Sequence, residues 1–308
     1  MIPCVLAAEG WDREPVQPLP TCTQLTPDKV QLGRDLFHDN RLSFNNSRSC
    51  ASCHPLEQWG SDGQRVSLRA DGAPATMNTP TVYNVRFQIG QYWNGRVRTL
   101  QALVEEKVRL EMNSTWPEVE ARLTADERYR LRFAQVYPDG VRAANIQDAL
   151  AEFQRALVLA NSRFDRYLRG DKEAISAQER EGYLLFKEIG CASCHQGMNL
   201  GGNMYHKSGL FLERSGAVDP SGAVPAEEDQ DRFQVTGNDE DYHVFKVPSL
   251  RLVLRTAPYF HDGSVATLPE AVQRMARQQL GRTLNAEEVG KLVAFLATLE
   301  GIPAGACP

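Results

Sequence analysis

The stretch Cys50-Ala51-Ser52-Cys53-His54 occurs a second time, residue for residue, at positions 191–195. Cys-x-x-Cys-His is the attachment motif of c-type haem, in which both thiols bond to the vinyl groups and the histidine ligates iron. Two residues between the thiols let one short turn span the porphyrin edge, so that the next residue presents its imidazole to the metal. A redox dithiol or a zinc site is the alternative, and the repetition of the complete motif argues against it. The sequence therefore predicts two covalently bound haem c groups, attached through Cys50, Cys53 and His54 and through Cys191, Cys194 and His195.

The length of the chain indicates how many domains it forms, and its charge excludes one class of protein. With 308 residues it is long enough for two domains, and each half carries one motif. We predict an N-terminal haem domain over residues 20–163 and a C-terminal one over 164–308, with the boundary in the polar run at 161–174. The net charge of −5 excludes the basic footprint of a nucleic-acid-binding protein. No stretch approaches the roughly 20 apolar residues of a membrane span.

Helical signals dominate, and little of the sequence alternates with the period of two that marks strands. Thr26-Pro27 is typical of a helix start, and Ser176 with Glu179 forms a capping box. A Leu-Phe pair precedes each haem motif, which indicates an internal duplication. The expected fold is mainly α, with two cytochrome-c-like haem domains, long ordered loops and little sheet. Helices are expected from 26 to 37, 98 to 112, 116 to 123, 125 to 136, 145 to 160, 176 to 186, 268 to 276 and 285 to 299.

Three of the seven cysteines lie outside the motifs: Cys4, Cys22 and Cys307. Haem c is assembled outside the bacterial cytoplasm, so we expect a periplasmic protein. In such an oxidising compartment Cys22 and Cys307 either form a disulfide that ties the two ends together or remain free thiols. Residues 1–10 resemble the remnant of a secretory leader or are simply a disordered end. Residues 213–241 are expected to form a long acidic loop, either a solvated insertion or a docking surface for a cationic partner.

The blocks around the motifs resemble the bacterial dihaem cytochrome c peroxidase family, which includes MauG-type enzymes. The resemblance extends from about Thr26 to Leu299. It rests on the Leu-Phe pairs and on blocks in family order at 78–82 (NTPTV), 92–96 (YWNGR), 110–112 (LEM), 245–251 (FKVPSLR) and 257–263 (APYFHDG), and on Met275.

The resemblance implies a division of labour between the two haems. The haem on His54 would react with peroxide, and the haem on His195 would receive external electrons, with Met275 as its second axial ligand. Sulfur ligation stabilises ferrous iron, which suits an electron-storing centre. Glu111 matches the family's distal acid/base, since peroxide must lose a proton from one oxygen and gain one on the other. Trp93 matches an indole placed between the haems, where it would relay electrons; core packing alone is the other interpretation.

The family also implies calcium and partners. Asn78, with the backbone carbonyls of Thr256 and Pro258, matches an inter-domain calcium site, and oxygen ligands suit this hard cation. Apart from the family resemblance, an asparagine before Thr-Pro, as at Asn78, is more typical of a turn. Family members usually form homodimers, and their donors are a small cytochrome c or a cupredoxin.

The chain departs from the family pattern on the distal side of the first haem. Many members carry a histidine before the Asn-x-Pro-Thr block that ligates the first iron until the second haem is reduced. Here no histidine lies between His54 and His195. We therefore expect a five-coordinate or water-bound first iron, with Met77 as a weak alternative ligand. The family's distal glutamine has no clear counterpart, and Gln101 is the nearest candidate.

Three functions follow as hypotheses. The favoured one is a cytochrome c peroxidase that reduces hydrogen peroxide to water. A MauG-like enzyme that oxidises aromatic residues of a partner protein is supported by the missing histidine and opposed by Met275, where MauG-type members have tyrosine. A non-catalytic dihaem electron carrier is the third, and Glu111 with an open coordination site argues against it.

Overall fold

A computed structural model describes residues 14–211 and 231–307 of the chain. Over these residues the protein is mainly helical, which confirms the expected fold class. The predicted leader remnant, Cys4 and most of the predicted acidic loop lie outside the described residues. In chain order the helices are α1 Pro27–Phe37, α2 Cys50–Cys53, α3 Leu100–Leu110, α4 Trp116–Thr124, α5 Glu127–Val136, α6 Ala143–Ala156, α7 Arg163–Leu168, α8 Ala177–Glu188, α9 Phe233–Thr236, α10 Leu268–Leu280 and α11 Ala286–Ala297. No described helix is long and apolar enough to cross a membrane.

Strands are short and pair two by two. They are β1 Cys22–Thr23, β2 Leu159–Ala160, β3 Tyr205–Lys207, β4 Val244–Lys246, β5 Ile302–Pro303 and β6 Gly305–Ala306. β1 pairs with β6 in parallel, whereas β2 with β5 and β3 with β4 are antiparallel. A disulfide joins Cys22 to Cys307 beside the first of these pairs, which confirms that alternative for the two cysteines.

The chain divides into two compact units. The first-motif unit contains residues 22–158, 255–267 and 305–307, and the second-motif unit contains the described parts of 14–21, 159–254 and 268–304. The change of unit after Val158 lies close to the predicted boundary at 163/164. The prediction gave each domain one continuous stretch of chain. In the structure, residues 255–267 and 305–307 also belong to the first-motif unit. The amide of Asn78 donates to the carbonyl of His261 at 2.8 Å, and the disulfide holds the last segment.

A close helix crossing forms the core of the first-motif unit. Gly33 of α1 packs against the backbone of Ala149 in α6, where a Cβ atom would collide with the Ala149 carbonyl oxygen. Leu36 and Phe37 follow one turn later and are buried, with Phe37 edge-to-face against Phe153. The Leu-Phe pair is therefore the apolar face that α1 buries against α6 before the chain reaches Cys50.

The second-motif unit repeats this crossing with different helices. Gly182 of α8 packs against the Lys291 carbonyl of α11, again without room for a Cβ atom. Phe186 is buried and contacts the ring of Phe295 at a centroid distance of 5.1 Å. The duplication indicated by the Leu-Phe pairs thus extends to a Gly-x-x-Leu-Phe pattern, with the glycine setting how closely the helices approach.

Most predicted helices are present, and two expectations need correction. The helix expected from Asn145 to Ala160 ends at Ala156, because Leu157 leaves helical backbone angles and the next residues pair as β2. The polar run at 161–174 contains α7, whose Asp165 is fully buried. The domain boundary was predicted within this run, whereas Asp165 is paired with Arg251 inside the second-motif unit and the change of unit comes earlier, after Val158.

The starts of two helices lie where the sequence predicts them. α8 begins after Ser176 with both bonds of the predicted capping box to Glu179. α1 begins at Pro27 as expected, although the Thr26 side chain makes no capping bond. The fixed φ of proline suits the first helical position, so the start does not require that bond.

Candidate haem sites

The first motif lies on a single helical turn. Ser49 and Ser52 cap the start of α2: the Ser49 amide donates to Ser52 Oγ at 2.9 Å, and the Ser52 amide donates to the Ser49 carbonyl at 3.1 Å. The His54 amide donates to the Cys50 carbonyl at 2.9 Å, which closes the turn. Cys50, Cys53 and His54 are thereby brought to one half-buried surface, and neither cysteine is in a disulfide.

The His54 ring is fixed in one tautomer. Its Nδ1 lies 3.0 Å from the carbonyl oxygen of Gly60, and because a carbonyl only accepts, Nδ1 must carry the proton. The other nitrogen, Nε2, is then the unprotonated atom with a free lone pair. Burial lowers the pKa of His54 to about 4, so the imidazole is neutral at physiological pH. This is the state that an iron ligand requires.

Glu111 is the residue at which α3 ends. Its negative charge acts to raise the pKa of His54, against the larger lowering that burial causes. The backbone carbonyl of Glu111 accepts from the Ala70 amide at 2.8 Å, so the end of the helix is anchored to the loop before the 78–82 block. The carboxylate oxygen Oε1 lies 3.1 Å from Nζ of Lys107. Sequence reasoning found Glu111 and missed its partner.

A tyrosine joins this group through its ring. Lys107 Nζ lies 4.7 Å from the centroid of the Tyr92 ring, and the Arg96 guanidinium lies 3.6 Å from it. Arg96 in turn pairs with Glu106 at 2.8 Å. Burial raises the pKa of the Tyr92 phenol, so it stays neutral. Spacing gave no signal for this contact, because Tyr92 and Lys107 are 15 residues apart and meet only through the fold.

Trp93, the residue after Tyr92, makes its hydrogen bond to Asn78. Its Nε1 donates to the carbonyl of Asn78 at 3.0 Å, and its ring lies edge-to-face with His261 at 6.4 Å. Asn78 is buried and donates through Nδ2 to the carbonyls of Gln64 at 3.0 Å and Arg65 at 3.3 Å. Its oxygen Oδ1 is therefore the atom able to bind a cation, in the unit that also contains Thr256 and Pro258.

Two other distal candidates are placed by the structure. The Gln101 side chain accepts from Arg155 at 3.0 Å and lies 3.5 Å from Asp148, so α6 and not Glu111 is its neighbour. It is not brought to the Glu111 carboxylate, which leaves the family's distal glutamine without a counterpart. Met77 is half-buried beside Asn78.

The second motif is built in the same way. A single turn over Cys191–Ser193 closes with the His195 amide donating to the Cys191 carbonyl at 3.0 Å. Nδ1 of His195 lies 3.1 Å from the carbonyl oxygen of Leu200, and the Pro248 carbonyl is a second hydrogen-bond acceptor for this ring. Burial lowers the pKa of this imidazole below its usual range.

A buried ion pair supports the loop after His195. Arg251 is 2% exposed and lies 2.8 Å from the Asp165 carboxylate. The same guanidinium donates to the Met198 carbonyl, from Nε at 3.0 Å and from Nη2 at 2.8 Å. Arg251 therefore ties α7 to the segment that contains Leu200, the acceptor of the His195 proton.

Met275 is half-buried on α10. It shares the face of that helix with the buried residues Leu268 and Ala271, at spacings of seven and four. Leu280, at the end of the helix, lies next to Gly190, the residue before Cys191. Of the other methionines near His195, Met198 is exposed and Met204 is half-buried.

The residues of both sites fit a covalent haem. Each site offers two free thiols one turn apart and a neutral imidazole held by a backbone carbonyl. Burial raises the pKa of Cys50 to about 12 and that of Cys191 to about 11. Surroundings that disfavour charge suit neutral thioether sulfurs and an apolar porphyrin edge. The fold and the paired sites thus define a c-type cytochrome with two haem-binding units.

Comparisons with known proteins identify the family. The model of the di-haem cytochrome c peroxidase family matches residues 27–173. Cytochrome c peroxidase Ccp of Escherichia coli is 43% identical over 94% of this chain, and the chain spans 62% of that relative's length. Cytochrome c551 peroxidase of Nitrosomonas europaea is 41% identical, covering 94% of this chain and 84% of the relative. The crystal structure of a MauG-like protein associated with microbial copper homeostasis matches with a TM-score of 0.79 and 31% identity, over 92% of each chain.

The chain belongs to the dihaem cytochrome c peroxidase family, a family of oxidoreductases, and the resemblance drawn from its motifs is confirmed. Two haem c groups follow from this membership, one for each complete motif. The relatives named cytochrome c551 peroxidase are 37–41% identical, whereas those named MauG are 32–34% identical. The comparisons therefore favour the peroxidase hypothesis over the MauG-like one.

Proposed function

We propose that this protein reduces hydrogen peroxide to water in the periplasm, with electrons from a small cytochrome c or a cupredoxin. The observation that supports it most directly is the Glu111 carboxylate, held by Lys107 at the anchored end of α3 in the unit that contains the first motif. Attachment of the first haem would use Cys50, Cys53 and His54. Haem iron with an open position binds peroxide and supplies the redox chemistry.

The chain contributes a proton carrier to the reaction. Glu111 would take the proton from the peroxide oxygen nearer the iron and return it to the far oxygen, which then leaves as water. Lys107 holds the carboxylate at the end of α3, and the neutral ring of Tyr92 lies against Lys107.

The second-motif unit would serve as the electron store. Cys191, Cys194 and His195 would attach its haem, and Met275 on the buried face of α10 would complete the coordination. Electrons would reach the first haem through Trp93, whose ring orientation is set by the bond from Nε1 to the Asn78 carbonyl. A calcium ion held by Asn78 and the carbonyls of Thr256 and Pro258 would stiffen the same backbone. Within residues 14–211 and 231–307, no three or more acidic, histidine or cysteine side chains are placed so that they could hold a metal ion together, so such an ion would rely on amide and carbonyl oxygens and water. A homodimer is the proposed assembly.

The test is steady-state peroxide consumption with a reduced small cytochrome c. Glu111→Gln should lower kcat by about 10²–10⁴-fold, the usual contribution of a positioned acid/base, with both haems retained. Glu127→Gln, an exposed glutamate at the start of α5, is the matched control and should leave turnover unchanged. Unchanged turnover in Glu111→Gln would remove the residue from the mechanism. A wild-type protein that neither consumes peroxide nor binds cyanide would favour an electron carrier, and oxidation of an aromatic side chain on a partner without donor turnover would favour the MauG-like function.

A further inference from the structure

Both histidines of the haem motifs depend on a backbone carbonyl, and in each unit a second segment holds that carbonyl. In the first-motif unit the segment is Pro80-Thr81-Val82, here called the first bracket. The Val82 amide donates to the Gly60 carbonyl at 3.3 Å, the same oxygen that accepts the His54 proton at 3.0 Å.

The first bracket also holds the preceding peptide through a hydroxyl. Thr81 Oγ1 donates to the carbonyl of Trp59 at 2.6 Å and accepts from the amide of Tyr83 at 3.1 Å. Consecutive carbonyls of the loop, those of Trp59 and Gly60, are thus bound by consecutive residues of the bracket. The peptide that presents the acceptor to His54 is fixed at both ends.

Pro248-Ser249-Leu250 forms the second bracket, which makes the corresponding amide and hydroxyl bonds. It makes two further contacts, since the Pro248 carbonyl is a hydrogen-bond acceptor for His195 and Ser249 Oγ lies 3.0 Å from Asn199 Oδ1. The Leu250 amide donates at 3.2 Å to the Leu200 carbonyl, which accepts from His195 at 3.1 Å. Ser249 Oγ donates to the carbonyl of Asn199 at 2.8 Å and accepts from the amide of Arg251 at 3.1 Å. The two brackets therefore correspond position by position: each has a proline, then a residue with a hydroxyl group, then a branched aliphatic residue.

The loops need holding because each contains a strained residue. Trp59 has φ of 63° and Leu200 has φ of 45°, in the left-handed region that side chains other than glycine seldom adopt. Such a conformation is energetically unfavourable and persists only where the surroundings enforce it. In both loops the strained residue lies at or next to the carbonyl that accepts the histidine proton, so release of the bracket would move that oxygen.

We infer that Thr81 and Ser249 are positioning residues that set the reduction potential of the haem in their own unit. The hydroxyl holds the loop, the loop holds the carbonyl, and the carbonyl orients the imidazole and strengthens it as a ligand through the Nδ1 hydrogen bond. A stronger imidazole donor stabilises ferric iron and lowers the potential. The inference rests on His54 and His195 being the iron ligands, and it is independent of whether the protein turns over peroxide.

The experiment is a potentiometric titration of both haems in the holoprotein, with the two ferric irons distinguished by their EPR signals. Thr81→Val removes the hydroxyl at nearly constant volume, and Ser249→Ala does the same in the second bracket. Each should raise the potential of its own haem, which corresponds to an increase of about tenfold in the equilibrium constant for reduction. Tenfold is the lower end of the effect seen when a hydrogen-bond partner of a metal ligand is lost. For a one-electron couple this is about 59 mV. Thr81→Ser and Ser249→Thr keep the hydroxyl and should restore the wild-type potentials.

Each bracket serves as the control for the other. A merely structural role would lower the unfolding temperature of Thr81→Val without moving either potential, and that result overturns the inference. Equal shifts of both haems in either variant overturn it as well. His54→Gly tests the ligand assignment separately, since an unchanged spectrum of the first haem in that variant shows that His54 does not bind iron.

Discussion

Lys107 and Glu111 form an ion pair one helical turn apart, with Nζ 3.1 Å from Oε1, at the carboxyl end of α3. A carboxylate at this end of a helix faces the negative pole of the helix dipole, and Lys107 offsets that repulsion. The pair is partly shielded, because the two side chains are 34% and 24% exposed. The lysine therefore fixes the position of the proposed proton carrier more than it stabilises the fold.

Replacing the lysine should separate these two effects. Lys107→Met leaves the carboxylate in place but untethered, and misplacement by about 1 Å can cost up to ~100-fold in rate. We expect kcat/KM for peroxide to fall by about tenfold, measured by stopped-flow with reduced donor. The free energy of unfolding should change by less than about 0.5 kcal/mol, as for other helical pairs of this spacing. Lys291→Met breaks a similar pair with Glu287 in α11 and should leave the rate unaltered; equal rate losses in both variants would contradict the role of Lys107.

The absence of histidine between His54 and His195 predicts the spin states of the oxidised protein. The first iron should be high-spin, because this segment cannot supply a blocking imidazole, and the second should be low-spin with its sulfur ligand. EPR of the fully oxidised holoprotein measures both signals. Met275→Ala should convert the second signal alone to high-spin. Two low-spin irons in the wild type, or a first-iron signal altered by Met275→Ala, would refute this arrangement.

The buried pair of Arg251 and Asp165 predicts a large loss of stability. Removing one partner of a buried ion pair leaves the other charge without compensation and costs about 3–5 kcal/mol. Arg251→Met should therefore lower the free energy of unfolding of the holoprotein by that amount in a urea titration. Arg163→Met, which breaks the more exposed pair with Glu179, should cost less than about 1 kcal/mol. Equal losses of unfolding free energy in Arg251→Met and Arg163→Met would show that burial does not determine how much each ion pair contributes to stability.

Lys246 predicts a pH dependence of stability. It is 7% exposed in β4, and burial lowers its pKa to about 7 from 10.5. Between these values the unfolded chain binds a proton that the folded chain does not, so the free energy of unfolding should rise as pH increases from about 7 to 10.5. The expected gain is on the order of 5 kcal/mol. Lys246→Met should flatten the profile, measured as urea midpoints across this range, whereas the exposed Lys172→Met should keep it. A flat wild-type profile would contradict the shift.

The sequence predicted those features that local patterns encode. The haem motifs, the start of α1 at Pro27 and the capping box at Ser176 depend on neighbouring residues, and all three occur as expected. The contact of Tyr92 with Lys107, the burial of Asp165 and the return of residues 255–267 to the first-motif unit depend on partners distant in sequence. Periodicity carries no information about them. Even the brackets, visible as x-Pro-[Thr/Ser]-[Val/Leu], gained meaning only once their acceptors were located.

The bond between Cys22 and Cys307 has a topological consequence. It turns the intervening polypeptide into a covalent ring, so one scission of the backbone anywhere within that ring opens it without releasing a fragment. Under non-reducing conditions a singly nicked molecule would therefore migrate as one species, and only a thiol reagent would divide it in two.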